Sequence, residues 1–125
     1  MPLAIEKLGD GDKNVTVWVR GEFAETERSF VVLDIEDLRP RPKVLSLASL
    51  VWCMEDKLCT ALWLDERRRD PADMLAFMES RHKIELSRPI VLKDVDKLWL
   101  ERVGPDKFKG SLFWLVLDFD KSGVR

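Results

Sequence analysis

The chain has 125 residues, 46% of them hydrophobic and 35% charged, with a net charge of −2. That is the length of one ordinary domain, and the composition is that of a soluble globular protein. Its longest uncharged run, Val44 to Met54, is far short of the ~20 apolar residues that a membrane-spanning helix needs. No segment is strongly basic and the isoelectric point is near 5.5, so a nucleic-acid partner is not expected. A single domain over residues 1–125 is the expectation. The first residues, MPLAIEKLGDGDK, carry acids and lack the apolar core of a secretory signal, so the expected location is cytoplasmic.

In chain order, Gly9, Asp10, Gly11 and Asp12 mark a turn before the first clear strand, residues 14–20. There Val15, Val17 and Val19 alternate with Thr16, Trp18 and Arg20, the period of a half-buried strand. Residues 21–28 are polar enough for a loop. Residues 29–37 return as a second strand, with Val31, Leu33 and Ile35 opposed to Phe30, Val32 and Asp34. A hairpin in a β-meander is the simplest topology. Pro40 and Pro42 then separate this hairpin from the apolar centre of the chain.

Residues 44–65, VLSLASLVWCMEDKLCTALWLD, are the most apolar stretch. Two strands about a charged tip at Glu55, Asp56 and Lys57 are the preferred reading. A helix over 46–55 is the alternative, since Leu47, Leu50, Val51 and Met54 fall at helical spacing. Pairing centred on Asp56 would set Leu50 near Leu62, Trp52 near Thr60 and Cys53 near Cys59. One face would carry Ala48, Leu50, Trp52, Leu62 and Leu64, and the other Leu47, Val51, Cys53, Cys59, Ala61 and Trp63. Both faces would need cover.

After the basic run Arg67 to Arg69, Asp70 suits a helix cap, Pro71 the first helical position and Asp73 the positive end of the helix dipole. The principal helix is therefore expected near residues 70–83, with Met74, Leu75, Phe77 and Met78 as its apolar stripe. Residues 86–93 offer a short edge strand beginning at Pro89. The chain closes with a second hairpin, residues 97–103 and 111–119, around a loop from Gly104 to Gly110. In its last strand Leu112, Trp114 and Val116 oppose Phe113, Leu115, Leu117 and Phe119.

The predicted fold class is α+β: a largely antiparallel sheet of about six strands, built from hairpins and curled in one version, with one principal helix. One helix, ~10–12 Å across, is too narrow to cover both faces of such a sheet. Cover must come from curling, from a second copy, or from a ligand. The functional expectation is a non-catalytic binding protein, self-associating as a homodimer. It would hold a small apolar ligand among Trp18, Trp52, Trp63, Trp99 and Trp114, or meet a protein through a sheet face. Trp18 is the residue whose strand most clearly points it away from a valine face.

Catalytic chemistry is thinly represented. His82 is the only imidazole, and an enzyme using it with a nearby carboxylate or with Cys59 is the alternative. Cys53 and Cys59 read as buried thiols, because zinc would require four ligands. The carboxylates Asp34, Glu36, Asp37, Asp118 and Asp120 read as solvated strand ends, and Arg67 to Arg69 as a solvated loop. No metal or cofactor is expected.

Overall fold

The computed structural model describes residues 4–11, 13–22, 29–39, 42–55, 58–64, 74–92, 97–103 and 112–122. Nine strands occupy most of them: β1 (Ala4–Asp10), β2 (Asn14–Glu22), β3 (Ser29–Asp34), β4 (Val44–Met54), β5 (Cys59–Leu64), β6 (Met74–Glu79), β7 (Arg81–Leu92), β8 (Lys97–Val103) and β9 (Leu112–Ser122). The one helical turn among the described residues is a 3-10 turn, Ile35–Asp37, closed by the Asp34 carboxylate accepting from Glu36 N–H. The strands form a five-stranded sheet in the order β1-β2-β9-β4-β7 and a four-stranded sheet in the order β3-β8-β5-β6.

Every pairing is antiparallel, and the pairings are nested. Strand β2 lies beside β9, β3 beside β8, β4 beside β7 and β5 beside β6. Such a chain is one long antiparallel ribbon, doubled back between β5 and β6 and then rolled, so that β9 also meets β4 and β8 also meets β5. This is the eight-stranded jelly roll, with β1 added at one edge. The inward faces share one core, in which Val15, Val17 and Val19 of β2 join Leu98 and Leu100 of β8, Leu62 of β5, and Leu115, Leu117 and Phe119 of β9.

Several expectations are corrected by this architecture. The fold is all-β rather than α+β: residues 74–79 and 81–83, where a helix was expected, lie in strands β6 and β7, while Asp70, Pro71 and Asp73 lie outside the described residues. Met74 to Met78 are good helix formers, but pairing with β5, Ala76 opposite Leu62 and Met78 opposite Thr60, outweighs that local preference. Ser80, at φ 57°, then turns the chain from one sheet into the other. None of the three expected hairpins pairs, because each connection passes between sheets: β2 to β3, β4 to β5, and β8 to β9. Cys53 therefore faces Arg81 and Trp114 rather than Cys59.

The apolar centre solves its own cover problem with a β-bulge. Strand β4 keeps register with β9 through Leu47 opposite Phe119, then resumes with Ser49 opposite Asp118, leaving Ala48 as the extra residue. The bulge moves the inward-facing positions from odd to even numbers. Leu45 and Leu47 before it and Leu50, Trp52 and Met54 after it are all buried, while Ser46, Ser49 and Val51 lie on the other face. The inward surfaces of the two sheets thus cover each other, in place of the single sheet and helix that were expected.

Candidate binding face

The rolled ribbon brings distant strands side by side, and their outward residues form rows across the five-stranded sheet. One row reads Glu6, Trp18, Val116, Val51 and Lys83 along β1, β2, β9, β4 and β7. The next reads Ala4, Arg20, Trp114, Cys53 and Arg81. On the opposite side of the first row lie Thr16, Asp118, Ser49 and Glu85. Trp18, Trp114, Val116 and Val51 are half-buried, so an apolar centre stands on a face whose other side already packs the core.

Polar contacts fix the surroundings of that centre. The Arg20 guanidinium lies 4.3 Å from the centroid of the Trp18 ring, and its Nη2 is 3.2 Å from Glu6 Oε1. A cation over an indole face is attracted by the ring's quadrupole, which holds both side chains flat on the sheet. Asp118 accepts from Thr16 Oγ1 at 2.6 Å and from Ser49 Oγ at 2.7 Å, so one carboxylate ties together β2, β9 and β4. At the far edge Lys83 Nζ is 2.8 Å from Glu85 Oε1. Their hydrogen bond and mutual attraction hold the Glu85 carboxyl below its ordinary range and the Lys83 ammonium above its own.

The five tryptophans do not share a pocket. Trp18 and Trp114 lie near each other on this face, diagonal across β2 and β9. Trp63 and Trp99 are directly opposite each other on the outward side of the four-stranded sheet, between Val31 and Met74. That second face also carries exposed apolar residues, Phe77 opposite Ala61 and Met74 opposite Trp63, while Ala61 itself is 1% exposed and both indole nitrogens are shut from solvent. Trp52 points inward, 5% exposed, with Nε1 donating to the Glu79 carbonyl at 3.0 Å and its ring 5.4 Å from that of His82.

The candidate catalytic groups have structural partners. His82 is exposed and lies against Trp52. Cys59 Sγ is directed at Glu79 Oε2, 3.9 Å away, and burial together with that carboxylate pushes the thiol up, opposite to what a nucleophilic cysteine requires. Asp34 serves the 3-10 turn. Among the described residues no group of three or more His, Cys, Asp or Glu could hold a metal ion. Asp56, Lys57 and Arg67 to Arg69 lie outside the described residues.

A concavity of about 220 Å³ lies between the edge strands β1 and β3, lined by Ile5, Lys7, Val31, Val32, Leu33, Asp34 and Asp37. It is small beside the ~300–1,000 Å³ of ordinary ligand sites. Lys7 Nζ there already donates to the Asp37 carbonyl at 3.2 Å.

Sequence reasoning alone did not single out Arg20, Val51 and Val116 as site residues, and it read Asp118 as a solvated strand end. The alternation of Thr16, Trp18 and Arg20 placed them on one face, but only the β2–β9 pairing, across about a hundred residues, brings Asp118 and Trp114 beside them.

No protein-family model matches the chain, and no curated protein does. Among solved structures, an RmlC-like cupin family protein with a double-stranded β-helix fold from Methanocaldococcus jannaschii superposes with a TM-score of 0.38. The sequences are 9% identical, over 97% of this chain and 81% of that one. At that similarity it bears on neither ligand nor chemistry; the strand pairings define the roll.

Proposed function

We propose that this chain is a non-catalytic binding protein that meets a protein partner through the outward face of its five-stranded sheet. The observation that carries the reading is the placement of Trp18 and Trp114 with Val51 and Val116 on that face, ringed by Arg20, Glu6, Arg81, Lys83, Glu85 and Asp118. An apolar centre within a polar rim is the anatomy of a protein interface, and Trp and Arg are the residue types that most often dominate its energetics. The outward side of a sheet, with its residues standing in open rows, is poorly suited to enclosing a small molecule, which favours a protein over the apolar ligand.

A titration with anilinonaphthalene sulfonate, whose fluorescence rises on apolar surface, tests the face. Native protein should enhance the dye, and the Trp18→Ala/Trp114→Ala variant should lose most of that enhancement while keeping its far-ultraviolet circular dichroism. Equal enhancement by the folded variant would refute the assignment. The enzyme alternative requires His82. If an activity is found and His82→Ala leaves it intact, the imidazole mechanism is removed.

A further inference from the structure

We propose a second binding site, separate from the sheet face and independent of its reading: an extended peptide adds to the free edge of β3 as a fifth strand of the smaller sheet, beneath the overhanging strand β1.

The two sheets differ by one strand, and the difference falls at this edge. Strand β1 carries the larger sheet beyond β2, while among the described residues the facing sheet ends at β3. The pairing of β1 with β2 sets Ile5 opposite Val19 and Lys7 opposite Val17, so Ile5 and Lys7 share the inward side with two valines that are fully buried. Ile5 is nevertheless 42% exposed, and Lys7 is exposed as well. An isoleucine turned to the core side yet open to water marks a position whose packing partner is missing. The concavity of about 220 Å³ lies there, with Ile5 and Lys7 on one wall and Val31, Val32, Leu33 and Asp34 on the other.

A strand is the occupant whose chemistry that position matches. An edge presents backbone N–H and C=O groups along its free side, and an extended backbone supplies their complements at the same spacing. A strand laid ~4.8 Å from β3 comes to lie beneath β1 at the ~10 Å separation of packed sheets. One of its side chains then points at Ile5 and the next but one, ~6.8 Å along, at Lys7. The bulge at Val32 interrupts the β3 edge. Such interruptions keep long flat edges from pairing with one another, and here the bulge limits the added strand to a short segment that also buries a side chain under Ile5.

The lining selects among peptides by charge. Lys7 Nζ reaches the Asp37 carbonyl at 3.2 Å, which gathers Lys7, Asp34 and Asp37 at one end and leaves Ile5, Val31 and Val32 at the other. The charged end holds one positive group against two negative ones. Glu36 and Arg39, exposed on the same turn, offset each other in charge. A peptide with apolar residues at the Ile5 end and a basic residue at the Asp37 end is the complement. Every strand pairing described in this fold is antiparallel, the more stable arrangement, so the basic residue belongs near the peptide's N-terminus.

The test titrates a blocked peptide, TKTVTVT, into the full chain to about 5 mM and follows backbone amide chemical shifts. A few backbone hydrogen bonds and one apolar contact give an expected dissociation constant on the order of hundreds of micromolar. Shifts should concentrate in Val31 to Asp34 and in Ile5 to Lys7. The peptide TETVTVT should bind about threefold more weakly, the order of one exposed charge contact. Asp37→Lys should reverse that preference and Lys7→Glu should widen it; both positions are exposed, and circular dichroism checks that the variants fold. Alternate residues of a bound strand turn their N–H groups to β3, so N-methylation of one alternate set should abolish binding while methylation of the other changes it by less than about threefold. No binding by about 5 mM, shifts outside β1 and β3, a preference that neither variant moves, or equal effects of the two methylation patterns overturns the proposal.

Discussion

Deleting single residues from β4 distinguishes a bulge that keeps the sequence in phase from one that is incidental. Strand β9 runs without a break past the bulge, Phe119 opposite Leu47 and Asp118 opposite Ser49, so removing Ala48 leaves a regular ladder with β9, while β7 keeps its own irregularity between Glu85 and Ile90. Leu45, Leu47, Leu50, Trp52 and Met54 stay inward, and the loss should be under about 1 kcal/mol, the order of one buried methyl group. Deleting Val51 instead shifts the strand beyond the bulge. If the N-terminal side moves, the bulge takes up the slip, Leu50 turns outward and Ser49 inward. Exposing Leu50, now 2% accessible, costs about 1.5–3 kcal/mol. Burying an unpaired hydroxyl adds about 1–3 kcal/mol, and Asp118 loses one of its two donors. If the C-terminal side moves, Trp52 is expelled instead, at similar or greater cost. The expected loss of about 3–6 kcal/mol is a large part of the ~5–15 kcal/mol that holds a domain folded. Urea unfolding followed by circular dichroism measures both. Equal losses for the two deletions would refute the assignment of Ala48 as the phase-correcting residue.

Ser80→Gly should stabilise by up to about 1 kcal/mol, since φ 57° is strained for a residue with a Cβ; a lower urea midpoint would contradict this. Trp52→Phe should cost about 1 kcal/mol or more through loss of the Nε1 hydrogen bond to Glu79, read by the same unfolding curves. Burial and the Glu79 carboxylate raise the Cys59 pKa, so less thiolate is present at a given pH. Alkylation of Cys59 near pH 8 should be slower than that of a free thiol and faster after Glu79→Gln; no change would show that the carboxylate has no hold on it. The Glu85 carboxyl should titrate below the ordinary glutamate range by NMR and return toward it in Lys83→Ala. Because its folded value is depressed, any stability it lends is present above the unfolded pKa and lost as pH falls through the folded one.

The strands themselves were largely legible in the sequence, and their partners were not. The valines of β2 and the alternation of Phe113, Leu115, Leu117 and Phe119 in β9 mark inward faces by period alone. In β4 the same signal is broken, because one inserted residue reverses the phase halfway along. The pattern Leu45, Leu47, Leu50 with Ser46 and Ser49 opposed contains that information once a bulge at Ala48 is allowed. Hairpin pairing failed for a different reason. Adjacent strands are the usual partners, but a roll sends consecutive strands to opposite sheets and joins β2 to β9 over most of the chain. The helix expected near residue 74 shows local propensity yielding to an edge that needs a partner. The face bearing Trp18 and Trp114 could not be assembled without those long-range pairings.

Inter-strand nuclear Overhauser effects around Val116 are the most direct measurement, because the fold and the binding face both depend on which strands flank β9. The rolled ribbon predicts cross-peaks from Val116 to Trp18 on one side and to Val51 on the other. Cross-peaks joining Leu50 to Leu62 and Trp52 to Thr60 as neighbours in one sheet, with none from Val116 to Trp18, would contradict the roll and the face built on it.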